Sequence, residues 1–192
     1  MSILIIKPLV FSALAAPGGW LAIAYASGAL AASPWRFLIQ ESGLWSVRVL
    51  ALSLALGPLA AATGWQWPRR IRRMAGLFGA FYAALHVWAW ARQYGYDWPF
   101  LANEAIARLF LAVGAIGVVG LVPMVATSFD AAHRRLGPAT WRRVHLLIYP
   151  TLALALLHFY LSRRYAAAEI AIEATIAVAA LAMRFLPAPR RA

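Results

Sequence analysis

The sequence predicts an all-α integral membrane protein, a bundle of six transmembrane helices with both termini in the cytoplasm. Three observations predict it. Of the 192 residues, 64% are hydrophobic and only 12% are charged, and mean hydropathy is +0.71, too apolar for an ordinary soluble domain. The apolar residues gather into runs near the roughly 20 residues that cross hydrocarbon, and the arginines gather at the ends of those runs. Backbone in a bilayer has no water to bond, so each run reads as a helix.

The runs fall at about 8–29, 44–64, 74–92, 105–126, 143–161 and 167–186. In the first, Leu9 to Ala16 followed by Pro17-Gly18-Gly19 has the outline of a short signal-peptide core with a cleavage site. Apolar character resumes through Trp20 to Leu30, however, and a proline-interrupted span is the better reading. Pro58, Pro123 and Pro150 lie inside spans, where neighbouring helices can cover a kink. Gly114, Gly117 and Gly120 thin one side of the fourth span for close packing, a structural reading with no chemistry implied. No linker, low-complexity tract or internal repeat divides the chain, so residues 1–192 read as one domain.

Orientation follows from the basic residues. With the N-terminus inside, Lys7, Arg69, Arg70, Arg72, Arg73, Arg134, Arg135, Arg142, Arg143, Arg184, Arg190 and Arg191 are cytoplasmic. Arg36, Arg48, Arg92, Arg108, Arg163 and Arg164 are outside, so twelve stand against six. The net charge of +12 therefore reflects topology and anionic lipid rather than nucleic acid. Trp20, Trp35, Trp45, Trp65, Trp67, Trp98 and Trp141 sit near span ends, as an interfacial belt does.

Chemistry rests on the histidines. With no cysteine, disulfides, iron–sulfur clusters and thiolate-ligated haem are excluded, and any metal must take His or oxygen ligands. His145 and His158 lie thirteen positions apart on the stretch Trp141 to Tyr160. His86 lies about 12 residues into the third span counted from Met74, roughly 18 Å from its inner end, and His158 lies roughly 20 Å outward of His145. His86 and His158 thus come to similar depth on different helices, as bis-histidine ligation of an outer haem requires. His145 stands on a lower tier with no histidine opposite. Thirteen residues of ideal helix turn about 220°, so His145 and His158 do not share a face unless Pro150 alters the phase. His133 reads as a solvated loop residue. The rival for each histidine is a hydrogen bond to a neighbouring helix. The want of cysteine and of intramembrane carboxylate favours haem over zinc or a proton relay.

Arg72–Leu77 (RRMAGL), the segment FYAALH ending at His86, and Arg134–Tyr160 (RRLGPATWRRVHLLIYPTLALALLHFY) resemble the MsrQ (YedZ) family, as does the spacing of the three histidines. The resemblance covers about residues 7–187 and places the chain in the wider ferric-reductase-like transmembrane group. It implies a haem b membrane subunit of the bacterial inner membrane, with one haem or two. Such a subunit passes electrons to MsrP, a periplasmic molybdopterin enzyme that repairs oxidised methionine in proteins. It further implies FMN and a supply from the quinone pool or a cytosolic flavin reductase. The family's ligand positions fall on His86, His145 and His158. Four-histidine relatives carry a further histidine 13 or 14 positions before the third-helix ligand, and here those positions are Arg73 and Arg72. The two arginines read either as partners of haem propionates or a flavin phosphate, or as inside-positive anchors. Arg163 and Arg164 stand in the same relation to outer-haem propionates.

No dinucleotide-binding fingerprint and no nucleophile–base set is present, so the chain reads as an electron relay rather than a self-contained catalyst. Two other readings stay open: a stand-alone cytochrome b reducing quinone or ferric ion, and a non-redox metal transporter, against which the near-absence of intramembrane acids counts.

Overall fold

A computed structural model describes residues 3–30, 33–162 and 167–183, the side chains of 167–170 excepted. Arg163, Arg164, Arg184, Arg190 and Arg191 lie outside the described residues. Among those described, every regular element is helical: α1 (Ile3–Ala26), α2 (Pro34–Thr63), α3 (Trp67–Gln93), α4 (Trp98–Ala107), α5 (Leu109–Ala126), α6 (Asp130–His145), α7 (Ile148–Leu161) and α8 (Ala167–Ala182). Five stretches are long and apolar enough to cross a membrane: α1, α2, α3, α5 and the run Asp130–Leu161 that holds α6 and α7. The apolar part of α8, Ala171–Ala182, is shorter. Residues such as Ile106, Leu4, Val119 and Val122 point their side chains outward, which suits helices whose solvent is hydrocarbon.

The second and third spans start earlier than expected, at Pro34 and Trp67 rather than near 44 and 74, and the fourth and fifth differ in their construction. The fourth starts at Leu109 rather than near 105, because residues 98–107 form a helix of their own. The Asp97 carboxylate caps α4 by accepting the Phe100 N–H at 3.1 Å, and Pro99 sits in the first turn. At Arg108 the backbone is extended (φ −109°, ψ 113°) and the guanidinium pairs back to Glu104. The fifth span is preceded by helix from Asp130, broken at Gly137 (φ 72°, ψ 161°), a backbone conformation that favours glycine, and restarted at Pro138. A second break falls at Leu146–Leu147. Pro150 has no N–H to offer the Leu146 carbonyl, which accepts from the Tyr149 N–H at 3.2 Å instead. This tightened step overwinds the chain between His145 and His158, so the ideal-helix phase does not apply.

The chain divides into two compact units, residues 1–96 with 178–192, and residues 97–177. In the first, α2 and α3 pack antiparallel in layers seven residues apart on both helices. Ile39 meets His86, Ser46 Oγ donates to the Gly79 carbonyl at 2.9 Å, and Ser53 Oγ donates to the Arg72 carbonyl at 3.0 Å. A seven-residue repeat keeps one seam of each helix facing the other. Small side chains bring the backbones close where no hydrophobic drive operates between helices. One step further along α2, Gly43 lies under His86, Leu50 over Gly79 and Gly57 under Arg72. Each layer thus matches one bulky side chain with one glycine.

Tyr82, fully buried on α3, fastens α1. Its hydroxyl donates to the Leu14 carbonyl at 2.6 Å and accepts from the Gly18 N–H at 2.9 Å. Those two backbone groups are natural partners four residues apart in a helix, so the phenol is set into the ladder next to Pro17.

In the second unit, α5 and α7 pack along Gly114, Gly117 and Gly120, which face His158, Leu154 and Thr151. The close packing expected of these glycines is present, but Gly114 lies against an imidazole rather than a plain apolar side chain.

Tyr82→Phe keeps the ring and removes the hydroxyl. It should cost about 1–2 kcal/mol, read as a lower thermal unfolding midpoint in detergent with helix content unchanged. An unshifted midpoint would mean that α1 is held by apolar packing alone.

Candidate functional site

An imidazole inside a hydrocarbon slab has one N–H that must find an acceptor. His86 and His158, both half-buried, solve this in the same way. His86 Nδ1 lies 2.8 Å from the Ile39 carbonyl oxygen of α2, and His158 Nδ1 lies 2.6 Å from the Phe110 carbonyl oxygen of α5. A carbonyl only accepts, so Nδ1 carries the proton in both rings and the basic lone pair is on Nε2. This arrangement orients metal-bound histidines and raises their basicity. Four residues beyond each carbonyl stands a glycine, Gly43 and Gly114 respectively, directly against the ring. Phe110 also stacks on His158 at 5.8 Å between centroids.

The depth estimate for His86 changes, because α3 begins at Trp67, seven residues before Met74. The ring stands one turn and a few residues short of the C-terminal end of α3, and His158 stands in the last turn of α7. Beyond His86, Trp35 packs edge-on to Trp88 at 5.7 Å, and the Arg92 guanidinium lies 5.0 Å above Trp35. That aromatic and cationic group belongs to an interfacial belt.

His145 is built differently. Its Nε2 is 3.2 Å from Thr127 Oγ1, and that hydroxyl lies 2.7 Å from the Pro123 carbonyl. The hydroxyl's one proton goes to the carbonyl, so Oγ1 accepts from His145 and the proton sits on Nε2. Trp141 stacks on the ring at 4.0 Å and donates its indole N–H to the Thr127 carbonyl at 2.9 Å. His133 is exposed as expected but stands on α6 rather than in a loop, and rests edge-on against Trp141 at 5.1 Å.

Arg72 and Arg73 are exposed near the start of α3. The Arg72 guanidinium lies over Gly57, where a β-carbon would be 3.5 Å from Nη1. Arg72 thus lies against a glycine two heptad layers below His86, at ordinary contact distance. The structure does not bring Arg73 to an equivalent place on the seam.

Three elements escape a reading of side-chain types alone: the acceptor carbonyls of Ile39 and Phe110, the Thr127–Trp141 support of His145, and a buried acid. Glu173 on α8 is 1% exposed, and its Oε2 makes no hydrogen bond. A buried carboxylate is therefore present on α8, a helix shorter than the five stretches long enough to cross a membrane. Its signal was an acid inside the apolar run Ala167–Ala182. Among the described residues no three His, Cys, Asp or Glu side chains come together to enclose an ion. Histidines that donate singly fit haem iron, whose macrocycle fills the equatorial plane and leaves axial positions to imidazole.

Comparison with known proteins gives the same direction. Residues 42–156 match the family described as "Ferric reductase like transmembrane component". A relative from Rhodospirillum rubrum, named "Protein-methionine-sulfoxide reductase heme-binding subunit MsrQ", is 35% identical over 95% of this chain and 88% of its own length. Proteins of that name from Polaromonas naphthalenivorans and Caulobacter vibrioides are each 38% identical, over 82% and 80% of this chain and 72% and 73% of their own lengths.

The tautomers can be read in protein prepared without haem. Histidine ¹⁵N shifts at a pH where the rings are neutral should give the Nδ1–H form for His86 and His158 and the Nε2–H form for His145. A common Nε2–H form for all three would contradict the hydrogen bonds described.

Proposed function

The chain belongs to the MsrQ family within the ferric-reductase-like transmembrane group, and from that membership we propose that it is a haem b electron-transfer subunit of a methionine sulfoxide reductase system. It takes electrons from the quinone pool or a flavin reductase and delivers them across the bacterial inner membrane to a periplasmic molybdopterin enzyme of the MsrP type. Six spans with both termini in the cytoplasm give the topology. The observation that carries the reading is the pair of matched Nδ1–H bonds to the Ile39 and Phe110 carbonyls.

His86 and His158 are the proposed axial ligands of the outer haem, each held as the Nε2 donor by its carbonyl. The bound haem supplies a one-electron couple whose potential is set by its axial ligands and burial. Everything else is the work of the protein. The carbonyl bonds fix the Nδ1–H form of both imidazoles and make each a stronger Nε2 donor. The surrounding helices keep water from the rings. His145 serves the inner tier, where Thr127 and Trp141 fix its plane. Coordination through Nε2 there requires that the Thr127 bond be given up. Arg72 and Arg73 supply cationic fork-shaped donors suited to propionates or the phosphate of FMN. Arg72 is the better placed, because its layer already clears a groove along Gly57.

One observation favours a different class. Buried Glu173 is the kind of intramembrane acid that ion and proton pathways use, and a metal transporter built on it and the histidines would be colourless.

Reduced-minus-oxidised spectra of the purified protein, with haem quantified per chain, separate these readings. A b-type α-band is expected. His86→Ala and His158→Ala should each abolish the outer haem, while His145→Ala should leave at least that haem in place. A colourless protein expressed with ample haem would remove the relay, and an unchanged His86→Ala spectrum would remove the ligand assignment.

A further inference from the structure

The two outer histidines are supported from different helices, in different compact units, by the same local construction. In each case a helix offers a carbonyl at one position and a glycine four residues later. In each case the imidazole lies along that glycine with Nδ1 on the carbonyl. In an α-helix those two residues are already joined, the glycine N–H to the same carbonyl, so the carbonyl accepts twice. The second bond is reachable only if the ring comes down onto the helix surface beside the glycine.

The available space is decisive. A β-carbon built on Gly43 would stand 2.8 Å from His86 Nδ1 and 3.2 Å from Cε1. One on Gly114 would stand 2.6 Å from His158 Nδ1, 3.0 Å from Cε1 and 3.1 Å from Cγ. Carbon does not approach ring atoms so closely, and the clash falls on Nδ1, the atom that makes the bond. The neighbouring glycine of the same stripe is different. A β-carbon on Gly117 would meet Leu154 Cβ at 3.7 Å, an ordinary contact, and one on Gly19 of α1 would meet nothing within 4 Å. Gly79 under Leu50 and Gly120 beside Thr151 are also too tightly enclosed for a β-carbon, but only at Gly43 and Gly114 does the β-carbon meet an imidazole at its hydrogen-bonding nitrogen.

We propose that Gly43 and Gly114 are positioning residues for the outer haem, holding His86 and His158 against the Ile39 and Phe110 carbonyls so that both rings present Nε2 as strong donors at fixed ring planes. The inference rests on the haem-ligand reading of those two histidines. Any larger residue lifts the ring, lengthens or breaks the Nδ1–H bond, and frees the ring to rotate about its side-chain bonds. Loss of the bond makes imidazole the weaker donor. Weaker donation stabilises ferric iron less, so the midpoint potential rises.

The test uses full-length Gly43→Ala and Gly114→Ala, with Gly117→Ala and Gly19→Ala as controls, each purified as the haem-loaded protein. Alanine favours helix over glycine, so helix propensity cannot explain a loss at the first pair and not at the second. The first pair should bind haem about tenfold more weakly, within the range that loss of an outer-shell partner carries. Haem that remains should have a raised midpoint potential and a shifted largest g value in ferric low-spin EPR, which reports ring orientation. The controls should match the parent protein. Should an alanine variant fail to purify as a monodisperse species, pulsed EPR of the parent ferric protein in H₂O and D₂O gives an independent reading. An exchangeable proton on the remote nitrogen of both axial imidazoles is expected. Parent-like haem content, potential and g values in both alanine variants would overturn the proposal, as would absence of that proton. A parent protein without haem, or with haem that survives His86→Ala, would instead overturn the ligand reading on which it rests.

Discussion

Everything in this structure turns on where an imidazole N–H can be put when there is no water. A ring nitrogen left without an acceptor in hydrocarbon costs more than most single packing defects. Side-chain acceptors are scarce in this chain, so the backbone serves, and a helical carbonyl with a lone pair to spare is the acceptor at hand. That choice fixes the tautomer and brings the ring within a hydrogen bond of a neighbouring helix axis. It also demands a residue without a side chain beside it. The paired glycines, the close helix approach and the Nε2 donors of His86 and His158 all follow from one proton.

The α2–α3 seam shows how such a demand spreads along a helix pair. Its repeat of seven places Arg72, Gly79 and His86 in successive layers, each opposite a residue of complementary size on α2. The serine hydroxyls at 46 and 53 donate to α3 carbonyls in the layers that lack the imidazole. The inner layer sets a guanidinium over a glycine at ordinary contact distance, where the outer layer seats an imidazole tightly. A guanidinium has no lone pair to give a metal but offers five N–H donors to an anion, so the two layers present opposite kinds of chemistry.

Much of this was legible in the sequence. The helical class, the positions of most spans and the three histidines could be read from apolar run length, arginine placement and residue type. What escaped did so for definable reasons. The breaks at Arg108 and Gly137 lie within apolar or mixed segments where hydropathy averages over the kink, although Asp97-Trp98-Pro99 and Gly137-Pro138 were the punctuation that marked them. The Ile39 and Phe110 carbonyls are invisible to side-chain patterns, because every residue has one. Gly43 and Gly114 were visible only as glycines among others, and what singles them out is the histidine each meets across the seam. Glu173 stands in the apolar run Ala167–Ala182, where residue type alone does not distinguish a buried acid from an exposed one.

The phenol of Tyr82 has a consequence for biogenesis. It occupies the place in α1 where the Leu14 carbonyl and the Gly18 N–H would otherwise meet each other. A chain made from its N-terminus delivers α1 to the lipid well before α3 has left the ribosome. Until then those two groups have only each other, and the phenol joins them once the third helix arrives. The tie to Tyr82 is then a late acquisition, and the first helix is fastened only when the helix carrying His86 is already in place.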